Sequence, residues 1–208
     1  VYTSGTTGRP ASTRVRWAER LPRTATEYVA SVAAGSTFPP GPHLVAGPLS
    51  HNGPLTCLRH LLAGEPVVVL PRFDAEAFLR FVAEERVTSS VMVPTHFQRL
   101  LALPAEARAA HDVSSLRQIA HTGSACPAGV KRAMIDWFGP VLVESYGATE
   151  VGTVARITSE EWLAHPGSVG RVLPPFELLV LSDDGAASTG LAINKPARPY
   201  PASPRPKP

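Results

Sequence analysis

Two cysteines, Cys57 and Cys126, are all that 208 residues contain. Their number and wide separation exclude a disulfide framework or a cysteine-built zinc cluster. Reduced thiols and a cytoplasmic location are the expectation. No apolar run approaches the ~20 residues that a helix needs to cross a bilayer, so no transmembrane segment is expected. The seven histidines (His43, His51, His60, His96, His111, His121 and His165) never fall at His-x-x-x-His spacing, which removes a helix-borne metal site of that kind. The opening, Val-Tyr-Thr-Ser-Gly-Thr-Thr-Gly, is neither a signal peptide nor a lipidation signal. It also lacks an initiator methionine, and the expectation is a chain that begins inside a larger product.

Acidic residues are missing from the far end. Lys195, Arg198, Arg205 and Lys207 have none beside them, and these four account for the formal charge of +3 and the pI near 9.1. Residues 1–194 carry 16 basic and 17 acidic side chains, a net charge of −1. So nearly neutral a body has no general electrostatic footprint for DNA or RNA, and nucleic acid is not an expected partner.

What is present is a core-forming sequence, 44% hydrophobic and 18% charged. Pro66–Leu70 is a β-branched run that reads as a strand covered on both faces. Ala75–Arg86 places Phe78, Leu79, Val82 and Ala83 at helical spacing. Val87–Val93 is the next strand, stopped by Pro94, and Thr95 is a candidate cap for a helix over Phe97–Leu103. Leu116–Ala120 is a strand, and Pro127 suits the first turn of a helix running to Phe138. Val141–Ser145 is a further strand. Strand–helix–strand units at this spacing predict an α/β fold, a parallel sheet with helices on both faces. Ligands on such sheets bind beyond the carboxyl ends of the strands.

The pattern dissolves after Ser182, and residues 196–208 hold six prolines. Proline removes amide donors and fixes φ, so residues 185–208 are expected to be a disordered tail. A shifted reading frame or a truncated gene would account for its composition.

Thr3-Ser4-Gly5-Thr6-Thr7-Gly8 sets four hydroxyls and two glycines in one short loop after an apolar pair. Such a loop offers many hydrogen-bond donors to a polyphosphate. It is not the P-loop spacing, and a plain Ser/Thr/Gly turn is the alternative. The run Tyr-Thr-Ser-Gly-Thr-Thr-Gly-Arg-Pro resembles the signature phosphate loop of the adenylate-forming (ANL) superfamily, which includes acyl-CoA synthetases, adenylation domains and firefly luciferase. Two further segments agree in the family's order. Ser145-Tyr146-Gly147-Ala148-Thr149-Glu150 resembles its Tyr-Gly-x-Thr-Glu motif. Gly47-Pro48-Leu49-Ser50-His51-Asn52 resembles its proline–leucine–aromatic–histidine segment, with Ser50 in place of the aromatic. The likeness covers residues 1 to about 184, a partial AMP-binding domain, and its texture is nearest to synthetases of fatty or aromatic acids.

The resemblance implies ATP-dependent activation of a carboxylic acid to an acyl-adenylate, then thioester formation with coenzyme A. Thr3, Ser4, Gly5, Thr6, Thr7 and Gly8 would cradle the β- and γ-phosphates. Thr149 would hydrogen-bond the α-phosphate, Glu150 would hold Mg²⁺, and Tyr146 would stack near the adenine with Gly147 leaving room. Gly123 and Ser124 would line the adenine and acyl pocket. His51 is either an acyl-pocket residue or a histidine satisfied by a backbone carbonyl. Read alone, Tyr146-Gly147 is a strand end and Thr149-Glu150 a helix start. Cys126 is no nucleophile, since adenylation needs no enzyme thiol and no base is paired with it.

Three departures weigh on the catalytic expectation. Pro10-Ala11-Ser12 replaces the usual Pro-Lys-Gly ending of the loop, and neither the Thr-Gly-Asp motif nor the small C-terminal domain with its lysine follows. The chain alone is therefore expected to be weakly active or inactive. A non-catalytic nucleotide-binding or interaction module is the alternative, and loading of a carrier protein instead of coenzyme A is a third reading. Oligomeric state is not legible.

Overall fold

The computed structural model describes residues 2–3, 11–12, 24–34, 38–148, 151–177, 180–181 and 187–188. The chain runs β1 (Tyr2–Thr3), β2 (Ala11–Ser12), α1 (Ala25–Ala34), β3 (His43–Val45), α2 (Asn52–Leu55), α3 (Cys57–Leu62), β4 (Val67–Val69), α4 (Ala75–Glu84) and β5 (Ser89–Met92). It continues through α5 (Pro94–Leu101), α6 (Ala105–Ala109), β6 (Gln118–His121), α7 (Ala128–Phe138), β7 (Leu142–Ala148), β8 (Gly152–Thr158), α8 (Ser159–Ala164), β9 (Arg171–Val172), β10 (Val180–Leu181) and β11 (Ala187–Ser188).

Seven of these strands form one sheet in the order β4-β3-β5-β6-β7-β8-β9. The first five are parallel, and β8 and β9 join by antiparallel pairing. The pairs β1–β2 and β10–β11 are separate and antiparallel. The expected mostly parallel sheet is thus present. Among the described residues no helix is long and apolar enough to cross a membrane.

Register and side-chain alternation divide the sheet into two faces. Leu44, Met92, Ile119, Leu142 and Ile157 share one face with Phe78, Leu79 and Val82 of α4, Phe97 and Leu100 of α5, Met134, Ile135 and Phe138 of α7, and Trp162 of α8. This is the core. Val45 and Val91 lie on the opposite face, where a Cβ on Gly53 of α2 would sit 3.2 Å from Val91 Cγ1. That side is covered by α2 and α3, while Gln118, Ala120, Val143 and Ser145 remain half-buried.

Local chemistry explains where the elements start. The Asp74 carboxylate accepts a hydrogen bond from the Ala77 amide at 2.8 Å and caps α4. Pro94 occupies the first position of α5, where its missing N–H costs nothing, so the helix starts before Thr95 and that residue is not its cap. Thr158 and Glu161 form a reciprocal capping box at α8. The Ser159 hydroxyl then accepts from the Leu142 amide at 3.0 Å and donates to the Leu142 carbonyl at 2.9 Å, tying α8 to β7. The Pro66–Leu70 run departs from expectation: β4 is the edge strand and Val69 is 48% exposed. A β-branched run specifies a strand but does not say whether a neighbour lies on its outer side.

Three histidines, His43, His60 and His121, are buried, and the pKa values of His43 and His121 are shifted. His43 Nδ1 lies 2.8 Å from Ser89 Oγ, and its pKa is lowered to about 4 by burial and then by His60. His121 is lowered to about 3 by burial and by Lys131. Both are neutral in the folded state.

Truncating Phe78, which is wholly buried, to alanine should cost about 3–5 kcal/mol, measured by denaturant unfolding. For His43 and His121 the folded pKa lies below the unfolded value, so the unfolded chain binds more protons as the solution is acidified. Stability present at pH 7 should fall as pH drops through 6.5 towards 4, by about 2 kcal/mol per histidine at pH 5. Replacing His43 by glutamine should flatten the melting-temperature profile over that window.

Candidate functional site

Parallel pairing sends every strand of the set out of the sheet at the same edge. The segment Gly47–His51 follows β3, Val93 follows β5, Thr122–Pro127 follows β6, and the distal half of β7 projects beyond its last partner on β6. These segments lie close together. A Cβ on Gly53 would lie 3.9 Å from Thr122 Cγ2, and one on Gly123 would lie 3.6 Å from Val93 Cγ1. The loops after β3, β5 and β6 therefore form one continuous rim.

His51 stands on this rim immediately before α2, with its side chain exposed and making no cap hydrogen bond. Its main chain is engaged: the amide donates to the Pro48 carbonyl at 3.0 Å, and its carbonyl accepts from the Leu55 amide at 3.1 Å. It is a rim residue, not a core one. Gly123 has φ +90°, a conformation that favours glycine, and it, Ser124 and Ala125 are exposed.

Tyr146 is 59% exposed on the projecting part of β7. The register between β7 and β8 slips between Tyr146 and Gly147, an irregularity of the kind that re-aims side chains beside functional sites. Gly147 is required there for a reason that its sequence does not reveal. A Cβ at this position would lie 2.0 Å from the Gly152 carbonyl oxygen, so the backbone of β8 admits no side chain.

Thr3 is the second residue of β1 and pairs with Ala11 of β2. Ser4, Gly5, Thr6, Thr7, Gly8, Thr149 and Glu150 lie outside the described residues. Of the expected site, the structure thus brings together His51, Gly123, Ser124, Tyr146 and Gly147 on one edge of one sheet. An exposed glycine segment and an exposed tyrosine on the same edge suit a flat heterocyclic base. Among the described residues no three His, Cys, Asp or Glu side chains are grouped to hold a metal ion.

A second group lies beneath this rim and was not singled out by the sequence. Lys131 of α7 is fully buried and its Nζ donates to Glu144 Oε2 of β7 at 2.5 Å. The ammonium also lies 4.8 Å from the centre of the Trp162 ring. His121, which pairs in register with Glu144, places Nε2 3.8 Å from the same oxygen, too long for a hydrogen bond, and among the described residues neither of its ring nitrogens has a hydrogen-bond partner. Burial pulls the Lys131 pKa down and Glu144 partly offsets this. Burial, and then Glu144, push the Cys126 thiol up to about 11, which disfavours its thiolate. Removing one partner of a buried pair such as Lys131–Glu144 typically costs about 3–5 kcal/mol. The signal in the sequence was a lysine on an apolar helical stripe, since Lys131, Met134, Ile135 and Phe138 fall at i, i+3, i+4 and i+7 and all four are buried.

Comparison with known proteins agrees with the resemblance. A family model described as AMP-binding enzyme matches residues 1–190. An indoleacetate–CoA ligase of Aromatoleum aromaticum is 33% identical over 187 residues, 88% of this chain and 35% of the relative. A feruloyl-CoA synthase of an Amycolatopsis species is 34% identical over 179 residues, 85% of this chain and 35% of the relative. The o-succinylbenzoate CoA synthetase of Bacillus subtilis, solved with a product analogue, superposes with a TM-score of 0.67 at 25% identity, covering 92% of this chain and 38% of that one. The chain thus spans about a third of the length of these relatives. With its family match extending from the glycine- and hydroxyl-rich opening through β11, the chain belongs to the AMP-binding enzyme family.

Proposed function

We propose that the protein carrying this chain activates a carboxylic acid with ATP to an acyl-adenylate and passes the acyl group to coenzyme A, the acid being fatty or aromatic. The observation that supports this reading is the gathering of the His51 segment, Gly123–Ser124 and Tyr146–Gly147 along one edge of a parallel sheet. Relatives named as ligases of indoleacetate and as synthases of feruloyl-CoA favour an aryl acid.

The chemistry asks for neutralised phosphate charge, in-line placement of the carboxylate, and a pocket for the acyl chain. In this reading Thr3, Ser4, Gly5, Thr6, Thr7 and Gly8 supply hydroxyls and amides to the β- and γ-phosphates, and Thr149 bonds the α-phosphate. Tyr146 packs against the adenine, and the main chain of Gly123 and Ser124 lines the base and the start of the acyl pocket. His51 borders the acyl chain from the neighbouring loop. Glu150 is the residue that would hold Mg²⁺, whose preference is for carboxylate and phosphate oxygens and whose charge offsets that of the phosphates.

Calorimetry of ATP·Mg²⁺ on this chain, followed by acid-dependent exchange of pyrophosphate into ATP over a panel of fatty and aromatic acids, tests the reading. Binding with weak, acid-dependent exchange is expected. Binding without exchange for any acid would replace the ligase reading with that of a nucleotide-binding module, and absence of binding would contradict both. Glu150→Gln should weaken Mg²⁺-dependent ATP binding about tenfold, the size of one lost charge-assisted contact. An unaltered Mg²⁺ dependence would remove Glu150 from the metal role.

A further inference from the structure

We propose that Lys131 and Glu144 are positioning residues for the nucleotide site, joined by one directional bond that fixes how β7 leaves the sheet and presents Tyr146. The inference rests on the adenylation reading above and deepens it. Glu144 is the last residue of β7 in register with β6, opposite His121, and beyond it the strand is paired only with β8. Two residues on, and therefore on the same face, comes Tyr146, just before the register slips. Glu144 thus sits at the branch point between the part of β7 held on both sides and the part that reaches into the rim.

Lys131 occupies the first turns of α7, which begins directly after the rim segment Thr122–Pro127 that carries Gly123 and Ser124. The Nζ–Oε2 bond therefore links the two segments assigned to the nucleotide, one through the start of its helix and the other through the exit of its strand. A charge is a costly choice for this place. A buried ammonium near a helix N-terminus is disfavoured both by desolvation and by the positive end of the helix dipole. Methionine at position 131 would continue the apolar stripe formed with Met134, Ile135 and Phe138. What an ion pair supplies and an apolar contact does not is a fixed distance and direction between the helix and the strand. The indole of Trp162 lies over the ammonium and completes its enclosure.

The test compares wild type, Lys131→Met, the double variant Lys131→Met/Glu144→Met, and Glu144→Asp, each by thermal unfolding and by ATP·Mg²⁺ calorimetry. Lys131→Met alone should lower the unfolding midpoint. The double variant should recover the midpoint, because the unpaired charge is gone, yet bind ATP·Mg²⁺ about tenfold more weakly, because the rim is no longer held in register. Recovery of midpoint and affinity together would reduce the pair to a structural role and overturn the proposal. Should the double variant not fold, Glu144→Asp decides, since it keeps the charge but shortens the reach by one methylene. A folded protein with affinity lowered about tenfold is expected, and unchanged affinity overturns. If wild type itself does not bind ATP·Mg²⁺, the adenylation reading fails by itself. Positioning is then read from amide hydrogen exchange at residues 145–148 without nucleotide, which should be faster in either folded variant than in wild type, equal rates overturning it.

Discussion

Parallel strand pairing is the constraint on which the rest of this molecule depends. A strand pairing parallel to its neighbour must be followed by a crossover, so the loops that leave β3, β5 and β6 and the free end of β7 all emerge on one edge. Residues nearly a hundred positions apart in the chain, His51 and Tyr146, are brought to that edge by nothing more specific than hydrogen-bond direction. The helices hold this arrangement from one side, where α4, α5, α7 and α8 fill a single core with Phe78, Phe97, Met134 and Trp162.

The rim itself is built by local exceptions to the regular sheet. Gly123 turns the chain with a positive φ where β6 ends, and Gly147 allows β8 to approach β7 so closely that no side chain fits between them. The slip between Tyr146 and Gly147 then ends the regular register of the longest strand pairing in the sheet. Beneath it, Lys131 and Glu144 place two opposite charges where hydrophobic side chains would otherwise continue. Polar groups in such a position are costly to bury and directional once paired.

Much of this was legible in the sequence because several signals agreed. Val87–Val93 with Pro94, and Leu116–Ala120 with Pro127, each announced a strand followed by a helix, and the structure contains both units with boundary shifts of up to three residues, the largest at the start of α5. The three family segments, read in order, led to a membership that the match over residues 1–190 bears out. Other features were hidden for physical reasons. Thr95 looked like a cap, but a proline one residue earlier is a better first helical residue than a threonine is a cap. The β-branched run ending at Leu70 specified a strand, yet its place at the edge depends on the sheet order, which local composition does not encode. The Lys131–Glu144 pair is separated by thirteen residues on two different elements, and only the packing of α7 on β7 makes the two charges partners. Gly147 was assigned by resemblance to the nucleotide, whereas the structure shows an additional and independent demand from β8.

The central claim, that a nucleotide base lies between the loop after β6 and the free end of β7, is tested most directly by photolabelling with 8-azido-ATP and Mg²⁺ followed by peptide mapping. Label is expected on the peptides containing Thr122–Ala125 and Ser145–Ala148, suppressed by excess ATP. Label that ATP displaces from α4, α5 or α6 instead, with both rim peptides unmodified, would contradict it.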